Sequence, residues 1–398
     1  ILEWYSKLCR LSVFLFRFSA PEVRLLLVCM WLSDLFLTVS PITIKNTECS
    51  MTMNKKLIDL IAEGYNFSIS DIVSIIENNS ETDDNYLFCI ADKIRRSIYG
   101  NKVYIRGLIE FSNYCKNDCL YCGLRCSNLN PKRYRITEDE ILECCRNGYE
   151  LGFRTFVLQS GEDLFFTDNM ICSILKKIKE NFSGCAVTLS IGEKSEESYQ
   201  KYYDAGADRY LLRHETACKN HYSMLHPDNM NFQSRIDCLK SLKKIGFQTG
   251  AGFMAGSPFQ TPECLAKDLI FLKELNPEMV GIGPFIPQSD TPFGKYPQGS
   301  LRLTLVMIAL TRLILPHALI PSTTALSTIH PIGRELGLKA GANVVMPNLS
   351  PLKYRKYYTL YDNKLSDGEE SAQCLKQLEE KIKNTGYEIV KLRGDYIP

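Results

Sequence analysis

The chain has 398 residues, with 47 basic and 45 acidic side chains and a formal net charge of +2 at pH 7. This length can bury a sizeable core and allows one large α/β barrel or two ordinary domains. The near-neutral charge, without a long basic run, argues against a nucleic-acid partner. The sixteen cysteines lack the even framework of a small secreted domain, which favours a reducing compartment.

Residues 1–50 differ in composition from the rest of the chain. They hold both tryptophans, Trp4 and Trp31, and an almost wholly apolar run at 25–42. Such a run is compatible with a signal anchor or a short membrane span. The chain starts at Ile1 rather than Met, however, and Asp34 would cost about 2.5–3.5 kcal/mol at a membrane centre. We therefore interpret 1–50 as upstream or targeting sequence outside the functional fold, with a membrane anchor as the alternative.

Residues 51–101 have the apolar spacing of helices, in LIDLIAEG and DIVSIIENN, with Ser70 as the expected N-cap of the second. From residue 102, short apolar runs rich in β-branched residues alternate with amphipathic segments. Eight runs are predicted as strands: 103–111, 155–161, 186–192, 209–215, 248–257, 279–285, 317–325 and 342–348. Two intervening helices carry start signals, a capping box from Thr137 to Glu140 and Thr261 followed by Pro262.

Eight strand and helix units predict an α/β protein built on a (β/α)8 TIM-type barrel at 102–350. The N-terminal helical extension then covers 51–101. A C-terminal extension at 351–398 is expected to pack on the barrel and to end in an amphipathic helix near 375–383. Polar or small residues follow the predicted strands, and in a barrel those strand ends converge on the catalytic face. An open doubly wound sheet is the competing layout, with the same ends along one crevice.

The stretch FSNYCKNDCLYCGLRCSN at 111–128 places four cysteines within twelve residues: Cys115, Cys119, Cys122 and Cys126. Thiolates are soft ligands for zinc or iron–sulfur clusters. A structural zinc site usually uses two C-x2-C-type pairs, and no second pair occurs downstream. Three thiolates would leave one iron of a four-iron cluster free for another ligand, while the spacing also allows Cys126 as a fourth ligand. A disulfide and a zinc site are the alternatives at this point.

The C-x3-C-x2-C motif, with Tyr121 before its third cysteine and the first barrel strand before the motif, resembles the radical S-adenosylmethionine (SAM) superfamily. The similarity extends from about residue 56 to 360. In that range the chain resembles the FeFe-hydrogenase maturase HydE family, related to biotin synthase and methylornithine synthase. The matching segments are RGLIEFSNYCKNDCLYCGLR, VLQSGED, VTLSIGE, DRYLLRHETA, TGAGFMAG, VGIGPFIP, STTA and GANVVMPN.

This resemblance implies that Cys115, Cys119 and Cys122 hold a four-iron, four-sulfur (4Fe-4S) cluster whose open iron binds SAM, and that Cys126 is a bystander. Electron transfer from the cluster then yields methionine and a 5′-deoxyadenosyl radical, while the protein binds, orients and excludes water. The implied substrate is a small molecule or iron complex, a cysteine-bound iron carbonyl–cyanide precursor of the di-iron subcluster. Implied partners are an electron donor such as ferredoxin or flavodoxin and other hydrogenase maturases, in the cytoplasm or an anaerobic organelle.

Several residues at the strand ends are expected to bind SAM. Glu162, in the place of the superfamily's glycine-rich motif, is a plausible acceptor for the SAM ammonium. Arg213 and Glu215 are two residues apart, so on a strand they would share one face, and this charge pair suits a zwitterionic ligand. By resemblance, Glu215 and Arg235 contact SAM, and Arg213 lies near the substrate with its guanidinium forked for an anion.

Two apolar residues complete the expected cofactor site. Tyr121 is assigned to it as part of the cysteine motif. Met254, in GAGFMAG, is expected to pack on the adenine, although a methionine at such a position is more often part of the core.

The substrate side is predicted from small hydroxyl residues. Ser160, Thr188 and Ser190 would point inward from the second and third strands as hydrogen-bond donors. Thr323 and Thr324, after the seventh strand, would cradle an anionic group deeper in the barrel. Ordinary packing in the barrel layers is the alternative for these residues.

One departure from the family concerns the C-terminal region. Some HydE members have three further cysteines for an auxiliary cluster, and the corresponding positions here are Ser366, Cys374 and Gln377. A single cysteine cannot hold that cluster, so we expect it to be absent and leave the role of Cys374 open.

Two rival functions remain open. One is a methylornithine synthase-like or biotin synthase-like radical SAM enzyme, against which RHET and GIGPFIP favour the HydE family. The other is a non-catalytic protein that binds zinc or an iron–sulfur cluster.

Overall fold

The computed structural model describes residues 53–365 and 370–398, so the interpretation of residues 1–50 lies outside the described part of the chain. The description begins with three helices, α1 Met53–Ala62, α2 Ile69–Asn78 and α3 Glu81–Tyr99. The N-cap of α2 is Ser68, not the predicted Ser70. The backbone at Ser68 is extended, its hydroxyl accepts from the Asp71 N–H, and Asp71 accepts from the Ser68 N–H in return.

Nine strands and eleven further helices follow in the described residues. The strands are β1 Lys102–Ile105, β2 Gly107–Ser112, β3 Thr155–Ser160, β4 Ala186–Ser190, β5 Arg209–Leu211, β6 Gln248–Ala255, β7 Met279–Pro284, β8 Val344–Val345 and β9 Glu388–Val390. The helices are α4 Glu138–Glu150, α5 Asp168–Asn181, α6 Glu196–Asp204, α7 Lys219–Leu225, α8 Phe232–Ile245, α9 Pro262–Leu275, α10 Leu301–Ile314, α11 Thr324–Ile329, α12 Gly333–Lys339, α13 Leu352–Arg355 and α14 Leu375–Asn384.

The strands form a ring of parallel segments. β2 to β7 form one sheet in chain order, and β1 pairs with β8 and β9. Bridges from Met279 to Leu319 and from Pro321 to Val344 extend the sheet beyond β7. A bridge from Leu108 to Asn348 then returns to β2, which makes eight parallel segments in all. The predicted (β/α)8 barrel is confirmed.

Three predicted strands are much shorter than expected, and the one predicted at 342–348 forms a strand only at Val344–Val345. The strand predicted at 209–215 ends at Leu211, because Glu215 has a left-handed backbone with φ of 65°. The strand predicted at 317–325 contributes only the bridges at Leu319 and Pro321, because helix α11 already begins at Thr324. The two predicted helix starts are as expected, with Thr137 in a capping box and Thr261 capping α9 ahead of Pro262.

The C-terminal residues lie at both ends of the barrel. We call the end at the carboxyl ends of the strands the mouth, and the opposite end the floor. At the mouth, the Gly123 N–H donates to the Leu360 carbonyl and the Asp362 N–H donates to the Pro287 carbonyl, so residues 357–365 cover it. At the floor, Thr155 donates to the carbonyl of Arg393. In the described residues, no helix is both long and apolar enough to span a membrane.

Candidate functional site

The cysteine loop, residues 113–128, leaves β2 at the barrel mouth and is organised by one arginine. The guanidinium of Arg133 donates to the carbonyls of Leu124 at 3.1 Å and of Arg125 and Asn128 at 2.8 Å, and also to the carbonyl of Asn113. Because a single planar group holds four carbonyls, the loop has little freedom to change shape. The prediction from sequence did not include Arg133.

Glycines let this loop lie close to the neighbouring segments. A side chain at Gly161 would place its Cβ 2.3 Å from the Tyr114 carbonyl oxygen and 2.7 Å from Cys115 Cβ. A side chain at Gly123 would meet the Thr359 carbonyl oxygen at 1.9 Å. The loop is therefore packed between the end of β3 and residues 357–365.

The four cysteines of the loop differ in exposure. Cys115, Cys119 and Cys122 are half-buried, whereas Cys126 is exposed. The Glu162 N–H points at Cys115 Sγ at 3.4 Å, and Cys119 Sγ lies 3.8 Å from Met230 Sδ. The three predicted ligands thus face the interior of the site and Cys126 faces solvent.

The environment of the three thiols opposes their ionisation in the absence of a cation. Burial, with a smaller contribution from the charge of Cys115, raises the pKa of Cys122 to about 12. Burial also raises the pKa of Cys119 and of Cys115, with the charges of Cys122 and Cys115 adding to the shift at Cys119. Soft thiolates that need compensating positive charge suit iron ions.

The three thiols could in principle bind a single metal ion or an iron–sulfur cluster. In residues 53–365 and 370–398, no three or more His, Cys, Asp or Glu side chains are grouped around a single ion. A four-iron cluster takes its thiolates on different irons and needs no such group. Three soft thiolate donors on one loop are a donor set that such a cluster accepts.

Glu162 lies directly beside the cysteine loop. It is buried, its Oε1 accepts from the Glu193 N–H at 3.0 Å, and its Oε2 is 3.3 Å from Lys116 Nζ. Its side chain packs against Gly192, where a Cβ would lie 1.9 Å from Glu162 Cγ. Ser160 donates its hydroxyl to the Gly161 carbonyl at 2.7 Å, so this donor is used within the protein.

Arg213, Glu215 and Arg235 come together at the mouth, although not in the way predicted. Arg213 and Glu215 do not share a strand face, since β5 ends before them, yet Arg213 Nη2 lies 3.7 Å from Glu215 Oε2. Glu215 Oε2 and Arg213 Nε and Nη2 are buried and have no hydrogen-bond partner among the described residues. Such orphaned groups mark a place where a polar ligand fits.

Arg235, predicted to contact SAM, lies on the side of α8 that faces the site. It is buried on α8, where its Nε donates to Glu193 Oε1 at 2.6 Å and its Nη1 to the Arg213 carbonyl at 3.0 Å. Burial alone would lower the pKa of Arg235, but the Glu193 carboxylate raises it above its usual value. Arg235 therefore stays charged and fixes the backbone at Arg213.

Tyr121 and Met254 belong to an apolar cluster that also contains Leu225, Phe285 and Phe293. The Tyr121 hydroxyl lies 3.3 Å from His226 Nε2, and burial lowers the pKa of His226 to about 3. The imidazole is therefore neutral at physiological pH. His226 was not among the residues predicted for the site, and its imidazole contacts the Tyr121 ring and hydroxyl.

Two of the predicted substrate residues, Thr188 and Ser190, lie on one face of β4 in successive layers of the barrel. Val157 pairs in register with Thr188, and Gln159 with Ser190 one layer nearer the mouth. The Thr188 and Thr323 hydroxyls are buried without a hydrogen-bond partner in the described chain. Thr324 instead donates to Glu370 Oε2 at 2.7 Å. A small internal cavity is lined by Arg106, Val157, Thr188, Leu211, Met279, Gly281, Pro321 and Met346.

Two charged residues of the barrel interior, Glu110 and Lys364, were not predicted from the sequence. Glu110 on β2 is fully buried and accepts from Asn348 Nδ2 at 2.8 Å and from Lys364 Nζ at 2.7 Å. Lys364 thereby ties residues 357–365 to the inner wall of the barrel. The signal for Glu110 was present in IRGLIEF, where it stands four residues after Arg106, on the same face of an otherwise apolar run.

Of the three positions that correspond to auxiliary-cluster cysteines in some HydE members, the structure describes two. Cys374 is half-buried at the end of a 3-10 turn, Ala372–Cys374, and Gln377 lies on α14. Ser366 lies outside the described residues.

Comparison with known families and curated proteins gives consistent results. The model of the Radical SAM superfamily matches residues 109–272. The chain is 52% identical over 289 residues to the FeFe hydrogenase maturase subunit HydE of Thermotoga maritima, which covers 73% of this chain and 82% of that protein. It is 30% identical over 330 residues to 3-methylornithine synthase of Methanosarcina acetivorans, covering 82% and 92%.

Solved structures show the same fold. Methylornithine synthase (PylB) superposes with a TM-score of 0.75 at 28% identity and covers 84% of this chain and 97% of its own. HydG, a maturase of the FeFe-hydrogenase, superposes with a TM-score of 0.73 at 20% identity, covering 85% and 76%, which supports the fold alone.

Proposed function

The chain belongs to the radical SAM superfamily and, within it, to the HydE family of FeFe-hydrogenase maturases, and we propose that Cys115, Cys119 and Cys122 hold its catalytic cluster at the barrel mouth. As a member of this family it is a SAM-cleaving enzyme that acts in assembly of the di-iron active site of FeFe-hydrogenase. The observation that carries this function is 52% identity over 82% of a HydE maturase.

The cofactors are a four-iron, four-sulfur cluster and SAM, which when bound supply a one-electron cleavage that releases methionine and a 5′-deoxyadenosyl radical. The half-buried thiols of the three cysteines support the ligand assignment, and the exposure of Cys126 supports its exclusion. Arg133 fixes the carbonyls around the loop, so the thiols need little reorganisation to take up iron.

We propose that charged residues at the strand ends orient SAM. Glu215, with one oxygen that no described residue contacts by a hydrogen bond, accepts the ammonium group together with Glu162. Two N–H groups of Arg235 donate to Glu193 and to the Arg213 carbonyl, and its remaining N–H groups donate to the ligand. Met254 and Tyr121 provide an apolar wall against the adenine.

We propose that the substrate lies deeper, between the SAM site and the cavity lined by Thr188. Arg213 receives an anionic group, and Thr188, Ser190 and Thr323 offer hydroxyl groups from the barrel wall. Ser160 and Thr324 serve as polar wall positions whose hydroxyls are already used. Residues 357–365, tied down by Lys364, exclude water from this chamber.

The expected partners are a small-molecule or iron-complex substrate, an electron donor such as ferredoxin or flavodoxin, and the other hydrogenase maturases. The net charge of +2 supports the absence of nucleic acid from this set. A cytoplasmic location fits a thiolate-bound cluster, and an anaerobic organelle would serve equally.

The direct test has two stages. Protein reconstituted with iron and sulfide without oxygen, then reduced with dithionite and given SAM, is expected to release 5′-deoxyadenosine; a fully loaded cluster that yields none above background contradicts the enzyme assignment. In the second stage the protein replaces HydE in a hydrogenase maturation system. Active hydrogenase supports the family function, whereas SAM cleavage without maturation would contradict it.

The similarity to 3-methylornithine synthase, at 30% identity and with a TM-score of 0.75 for the solved structure, defines the second candidate. The same loaded enzyme tested for formation of 3-methylornithine separates the two. Product in that assay without hydrogenase maturation would favour the second candidate.

A further inference from the structure

Glu215 has an unusual backbone conformation for its role. Its φ is 65°, in the left-handed region that side chains other than glycine rarely adopt. Residues held there are strained and persist only where surrounding contacts over-determine their conformation. The contacts that hold Glu215 are therefore part of what places its carboxylate at the mouth.

The residue before Glu215 is anchored to β6. His214 is fully buried, and its Nδ1 accepts the Gly252 N–H at 3.2 Å. The Glu215 N–H donates back to the Gly252 carbonyl at 3.0 Å. Because Nδ1 is an acceptor, the proton of the neutral imidazole is on Nε2. A Cβ at position 252 would lie 2.1 Å from the Gly281 carbonyl oxygen, so these two hydrogen bonds require glycine at this position.

The Nε2 proton faces a buried carboxylate from helix α9. His214 Nε2 lies 3.4 Å from Asp268 Oδ1, and both side chains are fully buried. The imidazole is held at its faces by Phe253 and Phe271, with ring centroids at 5.8 and 4.8 Å. The ring is thus fixed by apolar packing and by the hydrogen bond at Nδ1, while Nε2 lies beside the Asp268 carboxylate without forming a hydrogen bond to any described residue.

Asp268 also holds the chain beyond Glu215. Its Oδ1 accepts the Ala217 N–H, so one carboxylate contacts the residues on both sides of Glu215. A fully buried carboxylate is costly in an otherwise apolar helix, CLAKDLIFL, and nothing in the folding of α9 itself needs it.

We propose that His214 and Asp268 form a positioning pair that fixes Glu215 in its left-handed conformation and so directs its carboxylate to the SAM site. This inference rests on the proposed function, since it takes Glu215 as a SAM-binding residue. His214 and Asp268 do not touch the cofactor; they act through Glu215.

The test measures SAM affinity on cluster-loaded protein, with labelled SAM in equilibrium dialysis, per four irons bound. Asp268→Leu removes the carboxylate that accepts from the Ala217 N–H and lies beside His214 Nε2, and we expect SAM to bind about 10- to 100-fold more weakly because Glu215 is misplaced. Asp268→Asn keeps a carbonyl oxygen for both contacts, and its affinity should stay close to that of the unchanged protein. His214→Phe, which fits between the same two aromatic rings, is a second disruptive variant should Asp268→Leu fold poorly.

A matched control separates positioning from general destabilisation. Asp84, on α3, is another buried carboxylate and is paired with Arg302 of α10 at 2.5 Å. Asp84→Leu is expected to lower the thermal midpoint but to leave SAM affinity per loaded cluster unchanged.

The outcomes separate a failure of the proposed function from a failure of the positioning pair. If unchanged protein with a full cluster binds no SAM, the proposed function fails. If that protein binds SAM and Glu215→Gln weakens binding, but Asp268→Leu and His214→Phe bind as tightly as the unchanged protein, the positioning pair is overturned. Equal losses in Asp268→Asn and Asp268→Leu would overturn it as well, because the contact geometry would then be irrelevant.

Discussion

Arg209 begins β5 and Arg213 lies two residues beyond the end of that strand, and the two side chains are held in opposite ways. Arg209, at the floor, is fully buried and donates to Gln248, Thr155, the carbonyls of residues 393 and 394, and Asp395 at 2.6 Å. Arg213, at the mouth, has Nε and Nη2 buried without a hydrogen-bond partner in the described residues. Proteins satisfy nearly all buried donors, so the difference supports the proposal that Arg209 is structural and that Arg213 binds a ligand.

The same contrast extends to the residues around each arginine. At the floor, the C-terminal tail supplies partners to several strands: Thr155 donates to Arg393, and His317 contacts the Ile397 carbonyl at 2.8 Å. Nearer the mouth, Thr323 and Glu215 each keep a buried oxygen without a hydrogen-bond partner among the residues described. We therefore expect changes at the mouth to alter cofactor and substrate binding, and changes at the floor to alter stability.

The largest expected effect at the mouth is that of Cys119→Ala. Removing one of three thiolates should abolish cluster loading and SAM cleavage, while the unfolding free energy of the iron-free protein changes by less than about 1 kcal/mol. Iron and sulfide content after reconstitution, with the 5′-deoxyadenosine assay, measures this. Cys126→Ala is the matched control and should load normally. Iron retained in the first variant, or lost in the second, would contradict the ligand assignment.

At the floor, Arg209→Leu is expected to destabilise the iron-free protein by about 3 kcal/mol, because it leaves Asp395 and two carbonyls without their buried donor. The figure is at the lower end for a broken buried pair, since Asp395 stays partly exposed. Urea unfolding measures the loss. SAM affinity per loaded cluster should not change, and a selective loss of SAM binding would break the contrast between the two ends.

Arg213→Met makes the corresponding change at the mouth, where an arginine is again replaced by an apolar side chain. We expect hydrogenase maturation activity to fall about 10- to 100-fold, the equivalent of about 1.5–3 kcal/mol for hydrogen bonds to a charged group. Stability should change little, because no strong ion pair is lost. Cleavage of SAM without substrate should persist. Unfolding as severe as that of Arg209→Leu would show that Arg213 is structural.

The sequence predicted much of the mouth because its signals are local. Strand periodicity gave the barrel, and the residues after each strand gave Arg213, Glu215 and Glu162. The expectation that Arg213 and Glu215 share one face of a strand was wrong, because the sequence does not show that Glu215 has a positive φ. The predicted roles of the site residues stay predictions.

The floor could not be predicted because its contacts join distant parts of the chain. Arg209 and Asp395 are 186 residues apart, and RGDYIP at the C-terminus has no pattern that identifies its partner. The same holds for Glu110 and Lys364 at the mouth, 254 residues apart. Only the charge of Glu110 within an apolar strand hinted that a partner was required.

The smallest expected effect is the acid dependence of the floor. Burial would raise the pKa of Asp395, but hydrogen bonding to Arg393 and the charge of Arg209 lower it from 3.8 to about 2. A carboxylate with a depressed pKa contributes stability that is present above its unfolded pKa and is lost as the pH falls through its folded pKa, here between about pH 5 and pH 2. Because Asp395 is more than a third exposed, solvent screening reduces this contribution to about 1 kcal/mol.

Asp395→Asn should therefore be less stable than the unchanged protein at pH 6, and the two should converge towards pH 2. Urea unfolding of the iron-free proteins across this range measures the difference. Arg213→Met is the control, and its profile should run parallel to that of the unchanged protein because the mouth has no part in this pair. A difference for Asp395→Asn that stays constant with pH would mean that the floor is held by the tail backbone rather than by the charge of Asp395.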